Sequence, residues 1–231
     1  MAAGSRPTSS NHRRDAWEPA RFAQPRFSRI ADLIERIVRE QDWPSIATLN
    51  ACFAVELAAV GVRLVEAAKT KPAIGADGVI DASTLYEVHI IDRGEIPTRP
   101  RNAHDLLNAV VWAAFPRSKL ALTRRLAAVQ RARAAGRRQL PATRTHEHDR
   151  FALIDEGGVL CVSGNSMWIF GHAIYEHAYA GELDVRGTAV DLEVPSIGEL
   201  AVGAAREVID RCFAAVDPMA VVRRGPGIPI G

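Results

Sequence analysis

The chain has 231 residues, of which 48% are hydrophobic and 24% charged, the proportions of an ordinary soluble globular protein. The formal net charge of +2 does not by itself indicate a polyanionic partner. The longest apolar segment, residues 51–65, is interrupted by Glu56 and Arg63, and the N-terminus lacks a signal-peptide core, so we expect no membrane association. The three cysteines are odd in number and far apart, which is typical of free thiols in a reducing compartment, and we expect a cytoplasmic protein.

The first half of the chain begins with residues 1–25, which mix Ser, Pro, Asn and Arg without apolar periodicity and are predicted to form a flexible tail. Apolar residues then recur at helical spacing over residues 27–42, and Pro44-Ser45 opens a second helix that continues through Leu57. Residues 62–65 and 86–91 are predicted to be short strands.

The second half is predicted to contain more helix than strand. In chain order we expect a helix after Asn102, a long helix to residue 138, a loop at 139–149, a β-hairpin at 151–162, a helix at 167–180, a strand at 188–194 and a last helix capped by Ser196. Helices and strands do not alternate regularly. The pattern therefore favours an α+β fold, a mostly helical single domain over residues 26–231 with a small antiparallel sheet or hairpins packed against the helices.

The helix after Asn102 carries the first candidate site residues. With Asn102 as the N-cap, Asp105 occupies the third helical position, as in a capping box. His104, Asp105 and Asn108 then share one arc of the helix, and nearly all other positions are apolar. A helix of this kind is buried, so its few polar groups are either satisfied internally or face a cleft.

Each of these residues has a structural and a functional interpretation. Asp105 either serves only as a cap partner or activates water, and Asn108 either ties a neighbouring loop or contacts substrate. His104 is either a satisfied core histidine or, kept neutral by the positive helix terminus, a metal ligand or general base. Arg99 and Arg101 precede the same helix and are candidates for binding an anionic substrate.

A second group of polar residues lies in the helix predicted after the hairpin. His172 and Glu176 are one helical turn apart and are therefore expected to face the same way, as two ligands of zinc, iron or manganese or as an ordinary intrahelical pair. Asp155 and Glu156 are explained by the predicted hairpin turn and become candidates only if they lie near the two histidines.

The segment between Asp105 and Glu147 contains nine basic residues and no acidic one. Such a segment can neutralise phosphates, which makes nucleic acid a possible partner. No aromatic residue interleaves the arginines, however, so a solvated helix face balanced by acidic neighbours is favoured over nucleic-acid binding.

Three motifs stand out along the chain. The first runs from Tyr86-Glu87 through Arg99 and continues from His104 to Lys119, the second is Leu153-Ile154-Asp155-Glu156-Gly157, and the third is Phe170-Gly171-His172-Ala173-Ile174-Tyr175-Glu176. Together they resemble an uncharacterised bacterial family of domains of unknown function, DUF3025. The resemblance covers most of the chain from about residue 45. It implies no reaction, but it does imply that the polar residues of the three motifs belong to one constellation: His104, Asp105, Asn108, Asp155, Glu156, His172 and Glu176.

Two functions follow as hypotheses. The first is a metal-dependent hydrolase for a small-molecule substrate, in which His104, His172 and Glu176 bind a divalent metal and His104, Asp105 or Glu156 acts in catalysis. Arg99, Arg101 and Asn108 would then bind the substrate. The second is a non-catalytic binding protein, in which the polar groups form a buried network and the arginine-rich helix contacts nucleic acid or a protein.

Overall fold

The computed structural model describes residues 16–67, 72–162, 166–223 and 227–230. The α-helices of the described residues are α1 Ala31–Ile37, α2 Ile46–Cys52, α3 Ala54–Ala58, α4 Tyr86–Arg93, α5 Ala103–Ala114, α6 Pro116–Ala134, α7 His146–Gly157, α8 His172–Tyr179, α9 Val202–Ala215 and α10 Pro218–Val221. Short 3₁₀ helices occupy Pro19–Ala23, Pro25–Ile30 and Ala82–Thr84.

The strands form two small sheets. They are β1 Arg63–Glu66, β2 Glu95–Thr98, β3 Gly158–Val162, β4 Ser166–Ile169, β5 Val185–Leu192 and β6 Ile228–Ile230. β1 pairs in parallel with β2, and the second sheet has the order β4-β3-β5-β6. Within it β3 is antiparallel to β4 and parallel to β5, with Leu160 opposite both Trp168 and Val190. The α+β class is confirmed, but neither sheet is antiparallel throughout: the first is parallel and the second is mixed.

The buried helix α5 occupies the middle of the main core. Ten of its twelve residues are buried, as the apolar sequence predicted. α5 packs against α8, while α6 packs against α4, α7 and α9. Asp210 of α9 caps α6 from outside, because its carboxylate accepts the backbone N–H groups of Arg117 and Ser118 at 3.1 and 2.8 Å. This packing brings one end of α5 beside α8.

The strand predicted over residues 86–91 is wrong, because these residues lie in helix α4. The segment is rich in β-branched residues, which favoured a strand. The segment instead packs on two sides as a helix: Leu85 and Val88 belong to a buried cluster that includes Ala127 of α6, and Ile90 belongs to the main core. Gly94, at φ 66°, adopts the left-handed conformation that ends a helix.

The first half of the hairpin predicted over residues 151–162 is also wrong, because residues 146–157 form helix α7. Thr145 caps this helix, and His148, Phe151 and Ile154 are buried at three-residue spacing while Leu153 is exposed. The predicted second strand exists as β3. Asp155 and Glu156 therefore lie in the last turn of a helix rather than in a hairpin turn.

Other boundaries also differ from the predictions. The helix predicted over residues 167–180 begins only at His172, because residues 166–169 pair with β3. The long helix α6 ends at Ala134, and Gly136 follows at φ 65°. The strand predicted over residues 188–194 spans Val185–Leu192, and Ser196 is not a cap, since α9 begins at Val202.

The boundary predicted at residue 25 does not coincide with the start of packing. Phe22 is buried, and its ring lies 5.0 Å from that of Tyr179 in α8. The Tyr179 hydroxyl donates to the carbonyl of Ala16 and accepts the backbone N–H of Glu18. Residues 16–25 therefore cover the C-terminal end of α8.

Among the described residues, no helix is both long and apolar enough to cross a membrane.

The contribution of the N-cap of α5 to stability can be tested by substitution. The Asn102 side chain accepts the backbone N–H of Asp105 at 3.0 Å. We expect Asn102→Ala to lower the free energy of unfolding by about 1 kcal/mol. Denaturant unfolding followed by circular dichroism measures this loss. Ser196→Ala is the matched control and should leave stability unchanged, and equal effects of the two substitutions would contradict the assignment of α5's first turn.

Candidate metal centre

The candidate site forms where the first turn of α5 meets the first turn of α8. His104 and His172 face each other there, with their Nε2 atoms 3.1 Å apart and their rings inclined at 75°. The His172 side chain is 3% exposed and that of His104 is 34% exposed. One histidine is therefore anchored in the core, while the other lies at the edge of the solvent.

The other nitrogen of each ring is already engaged. Nδ1 of His172 lies 2.9 Å from the backbone carbonyl of Asp155, and Nδ1 of His104 lies 3.0 Å from Oε2 of Glu176. A carbonyl and a carboxylate only accept hydrogen bonds, so both Nδ1 atoms carry the proton. In the neutral tautomers both Nε2 lone pairs then point at one common location.

Glu156 adds a carboxylate at the same location. Its Oε2 lies 3.3 Å from Nε2 of His172, and the ligand atoms of Glu156, His104 and His172 all lie within 4.8 Å of one another. The Glu156 side chain is 50% exposed, so the cluster opens to solvent on this side. We call these three residues the triad.

The pKa values of the two histidines are shifted in opposite directions. Burial and the nearby Lys119 ammonium lower the pKa of His172 to about 3. The hydrogen bond to Glu176 raises the pKa of His104 above its usual value, against the expectation that the helix terminus keeps this residue neutral. When His104 is protonated, its Nε2–H donates to His172. The location between the two rings therefore holds a proton when His104 is protonated, and it favours a positive charge.

A buried ion pair fixes the end of α7 beneath the triad. Nζ of Lys119, in α6, lies 2.6 Å from Oδ1 of Asp155, and the lysine side chain is 2% exposed. Burial is the largest single influence and would raise the pKa of Asp155, but the charge and hydrogen bond of Lys119 together with the two histidines lower it. Burial raises the pKa of Glu156, the next residue, which keeps its carboxylate basic.

Gly171 allows α8 to begin close to the end of α7. A Cβ atom built on this glycine would lie 2.4 Å from the carbonyl oxygen of Glu156 and 2.5 Å from the backbone of Gly157. The backbone N–H of Gly171 donates to the carbonyl of Gly158 at 2.9 Å. This close approach sets His172 directly beside Glu156.

Asp105 and the two predicted substrate-binding arginines lie outside the triad. The Asp105 carboxylate accepts the backbone N–H of Arg99 at 2.7 Å and the guanidinium N–H groups of Arg99 at 2.9 and 2.7 Å. The exposed Arg101 forms an ion pair with Asp42. Asp105 therefore anchors the segment before α5, and both arginines have acidic partners within the chain.

Asn108 also lies apart from the triad. Its Nδ2 donates to the hydroxyl of Tyr86 at 3.1 Å, while its buried Oδ1 has no hydrogen-bond partner among the described residues. Burial raises the pKa of the Tyr86 hydroxyl, which is therefore protonated at neutral pH. Asn108 thus links α5 to α4.

The structure brings together five of the residues singled out in the sequence: His104, Asp155, Glu156, His172 and Glu176. Glu176 differs from its predicted place, since it contacts Nδ1 of His104 rather than the common location of the Nε2 atoms. Sequence reasoning missed the contributions of Lys119 and Gly171. The only signal for Lys119 was its rarity, as one of three lysines in an arginine-rich chain.

The basic helix α6 is largely neutralised from within the chain. Arg125 pairs with Asp217, Arg131 with Asp92 and Lys119 with Asp155. The acidic neighbours expected to balance this segment therefore come from α4, α7 and the turn before α10. These contacts occupy basic side chains that nucleic-acid binding would require.

The Lys119–Asp155 pair can be tested by a double-mutant cycle. Lys119→Met should lower the free energy of unfolding by about 2 kcal/mol, because it leaves the partly buried Asp155 carboxylate without its partner. Adding Asp155→Asn should restore much of that loss. Denaturant unfolding of the two single variants and the double variant measures the coupling. Strictly additive losses would show that the two groups do not depend on each other.

Because the two pKa values are shifted in opposite directions, we expect the two histidines to titrate separately in metal-free protein. By NMR, His104 should titrate above the usual histidine pKa of 6.5, and His172 should stay neutral down to a pKa of about 3. Protonated His104 then contributes stability below pH 6.5 that is lost as the pH rises through its folded pKa. His172 removes stability as the pH falls below 6.5. Titration of both rings together near pH 6.5 would contradict this electrostatic account.

Comparison with known proteins gives one match. No curated protein and no solved structure matches the chain. The match, to a family described as "Protein of unknown function (DUF3025)", covers residues 74–167, which include α4 to β3 together with His104, Lys119 and Glu156. His172 and Glu176 lie beyond the matched residues. The resemblance noted in the sequence is therefore confirmed: the central part of this chain is similar to the DUF3025 family.

Proposed function

We propose that the triad binds one divalent cation and that the protein is a metal-dependent hydrolase. One observation carries this proposal: the Nε2 atoms of His104 and His172 converge at 3.1 Å while both Nδ1 atoms are held by acceptors. Histidine ligands of metals typically donate their second ring N–H to a carboxylate or a backbone carbonyl. Glu176 and the Asp155 carbonyl supply one of each.

The distances fit a tetrahedral ion. Zinc binds imidazole nitrogen at about 2.0–2.1 Å, so two such ligands lie about 3.3 Å apart. The triad has 3.1 Å between the two Nε2 atoms and 3.3 Å between His172 and Glu156. Two imidazoles and one carboxylate also suit iron or manganese. The ligand atoms of His104 and Glu156 lie within 4.8 Å of each other, and rotation of the half-exposed Glu156 side chain would complete the set.

Three protein ligands favour a catalytic over a structural ion. Structural zinc sites generally have four protein ligands, whereas catalytic sites leave one position for water or substrate. His104 and Glu156 are partly exposed, so solvent reaches the triad from their side. A bound cation of this kind supplies Lewis acidity and lowers the pKa of water at its open position.

Each residue in and around the triad would have a separate role. His172 anchors the ion because its neutral ring is buried and its tautomer is set by Asp155. Glu176 orients His104 and increases its basicity. Glu156 would bind the ion through one carboxylate oxygen, and its second oxygen would exchange a proton with a water at the open position. Asp105 is assigned no proton transfer, since its carboxylate already accepts three N–H groups.

Metal content tests the first part of the proposal. Untagged protein loaded with zinc and dialysed should retain about one ion per chain, and His172→Ala should retain none. Glu176→Gln should weaken binding by about 10–100-fold, because it removes the carboxylate that orients His104. His177→Ala, in the same helix, is the control and should bind zinc normally. A wild-type protein that retains no zinc, and is not stabilised by it, would favour the non-catalytic network instead.

Hydrolysis tests the second part. Zinc-loaded protein should cleave an activated ester or phosphodiester, such as a p-nitrophenyl acetate or bis-p-nitrophenyl phosphate probe, and chelation should abolish the rate. Glu156→Gln should slow the reaction by about 10²–10⁴-fold if Glu156 transfers the proton. Measurements on variant protein with its zinc content verified separate chemistry from binding. An unchanged rate in that sample would contradict the role of Glu156.

A further inference from the structure

A cavity of about 600 Å³ lies between the 3₁₀ helix Pro25–Ile30, strands β3 and β4, and the segment that joins β5 to α9. None of the triad residues lines it. This volume falls within the range of small-molecule binding sites. The walls are mostly aliphatic, and they include Val162, Val194, Ile197, Leu200, Val202 and Ala205. Leu200 and Val202 are 43% and 39% exposed, so part of this apolar surface faces solvent.

The indole of Trp168 holds two polar groups at the wall of the cavity. Trp168 is 1% exposed, and the guanidinium carbon of Arg29 lies 4.6 Å from the centroid of its ring. The indole N–H donates to the hydroxyl oxygen of Ser166 at 3.0 Å. Arg29 and Ser166 both line the cavity, and both lie against this one indole. Because the Ser166 oxygen accepts from Trp168, its own O–H is left to donate to another group.

Arg29 has no carboxylate partner among the residues that the structure describes. The carboxylate of Asp32, three residues along the chain, accepts two N–H groups of Arg206 at 2.7 and 2.6 Å and is therefore already occupied. Glu193 and Glu199 are exposed, and neither lines the cavity. A guanidinium that stacks on an aromatic ring keeps its N–H edge open for hydrogen bonds. The cavity thus combines one unmatched positive charge with apolar walls.

We infer that this cavity binds a small aliphatic monocarboxylate. The carboxylate would accept hydrogen bonds from the guanidinium of Arg29, whose geometry matches it, and from the hydroxyl of Ser166. A single guanidinium balances a single negative charge, which favours a monocarboxylate over a doubly charged phosphate. The alkyl chain would cover the exposed parts of Leu200 and Val202. This site is independent of the triad and of any hydrolase activity.

Calorimetric titration of the full chain with sodium octanoate, 1-octanol and octylammonium chloride tests this inference. Octanoate should bind about 10–100-fold more tightly than octanol, because its carboxylate forms charge-assisted hydrogen bonds. Octylammonium should bind more weakly than octanol. Octanoate should also shift the NMR signal of the Trp168 indole N–H. Absence of saturable octanoate binding, or equal binding of the three compounds, would overturn the inference.

Substitution of Arg29 separates its charge from the shape of the cavity. Arg29→Gln should weaken octanoate binding by the same factor of about 10–100 and leave octanol binding unchanged. A general loss of structure would weaken both. Arg124→Gln also removes one arginine charge, at an exposed position of α6, and should bind octanoate as the wild type does.

Leu200→Asp covers the case in which Arg29→Gln does not fold, because Leu200 is exposed at the edge of the cavity. The added carboxylate should repel octanoate and weaken its binding at least about tenfold. Val55→Asp is the control, since Val55 is 80% exposed and does not line the cavity, and it should bind octanoate normally. Octanoate binding that persists in both Arg29→Gln and Leu200→Asp would contradict the assigned site.

Discussion

The contact between His104 and His172 is the interaction that defines the candidate metal centre. Two neutral imidazoles with both Nδ1 protons engaged would set two lone pairs 3.1 Å apart, which is unfavourable unless a proton or a cation lies between them. Much of the local structure maintains this contact. Lys119 holds Asp155 at the end of α7, and the missing side chain of Gly171 lets α8 start against it. Substitutions at these two positions would therefore affect the site without touching an ion.

The sequence predicted the helices whose signals are local. α5 was correctly placed because Asn102 supplies a cap and the following residues are apolar on nearly every side. Residues 86–91 are predicted to be a strand because β-branched residues favour one, but packing against α6 makes them part of a helix. In α7 the pair Gly157-Gly158 resembled a hairpin turn, although it marks the end of a helix and the start of a strand.

The candidate site could be predicted only in part, for a physical reason. Helical spacing shows that His172 and Glu176 share a face, but it does not show which nitrogen of a distant ring the carboxylate reaches. That choice depends on how α5 packs against α8, which is a long-range property. Glu156 was named for a different reason, as a member of a motif, and gained its position beside His172 only because α7 is a helix. The tautomers of both rings likewise follow from tertiary contacts.

The central claim is that the two histidines share one cation through their Nε2 atoms. X-ray absorption at the zinc edge of protein reconstituted with one equivalent of zinc measures this most directly. We expect two imidazole nitrogens at about 2.0 Å together with oxygen ligands. A spectrum with oxygen ligands alone, or with a single imidazole, would contradict the claim and leave the contact as a proton-sharing pair within a buried polar network.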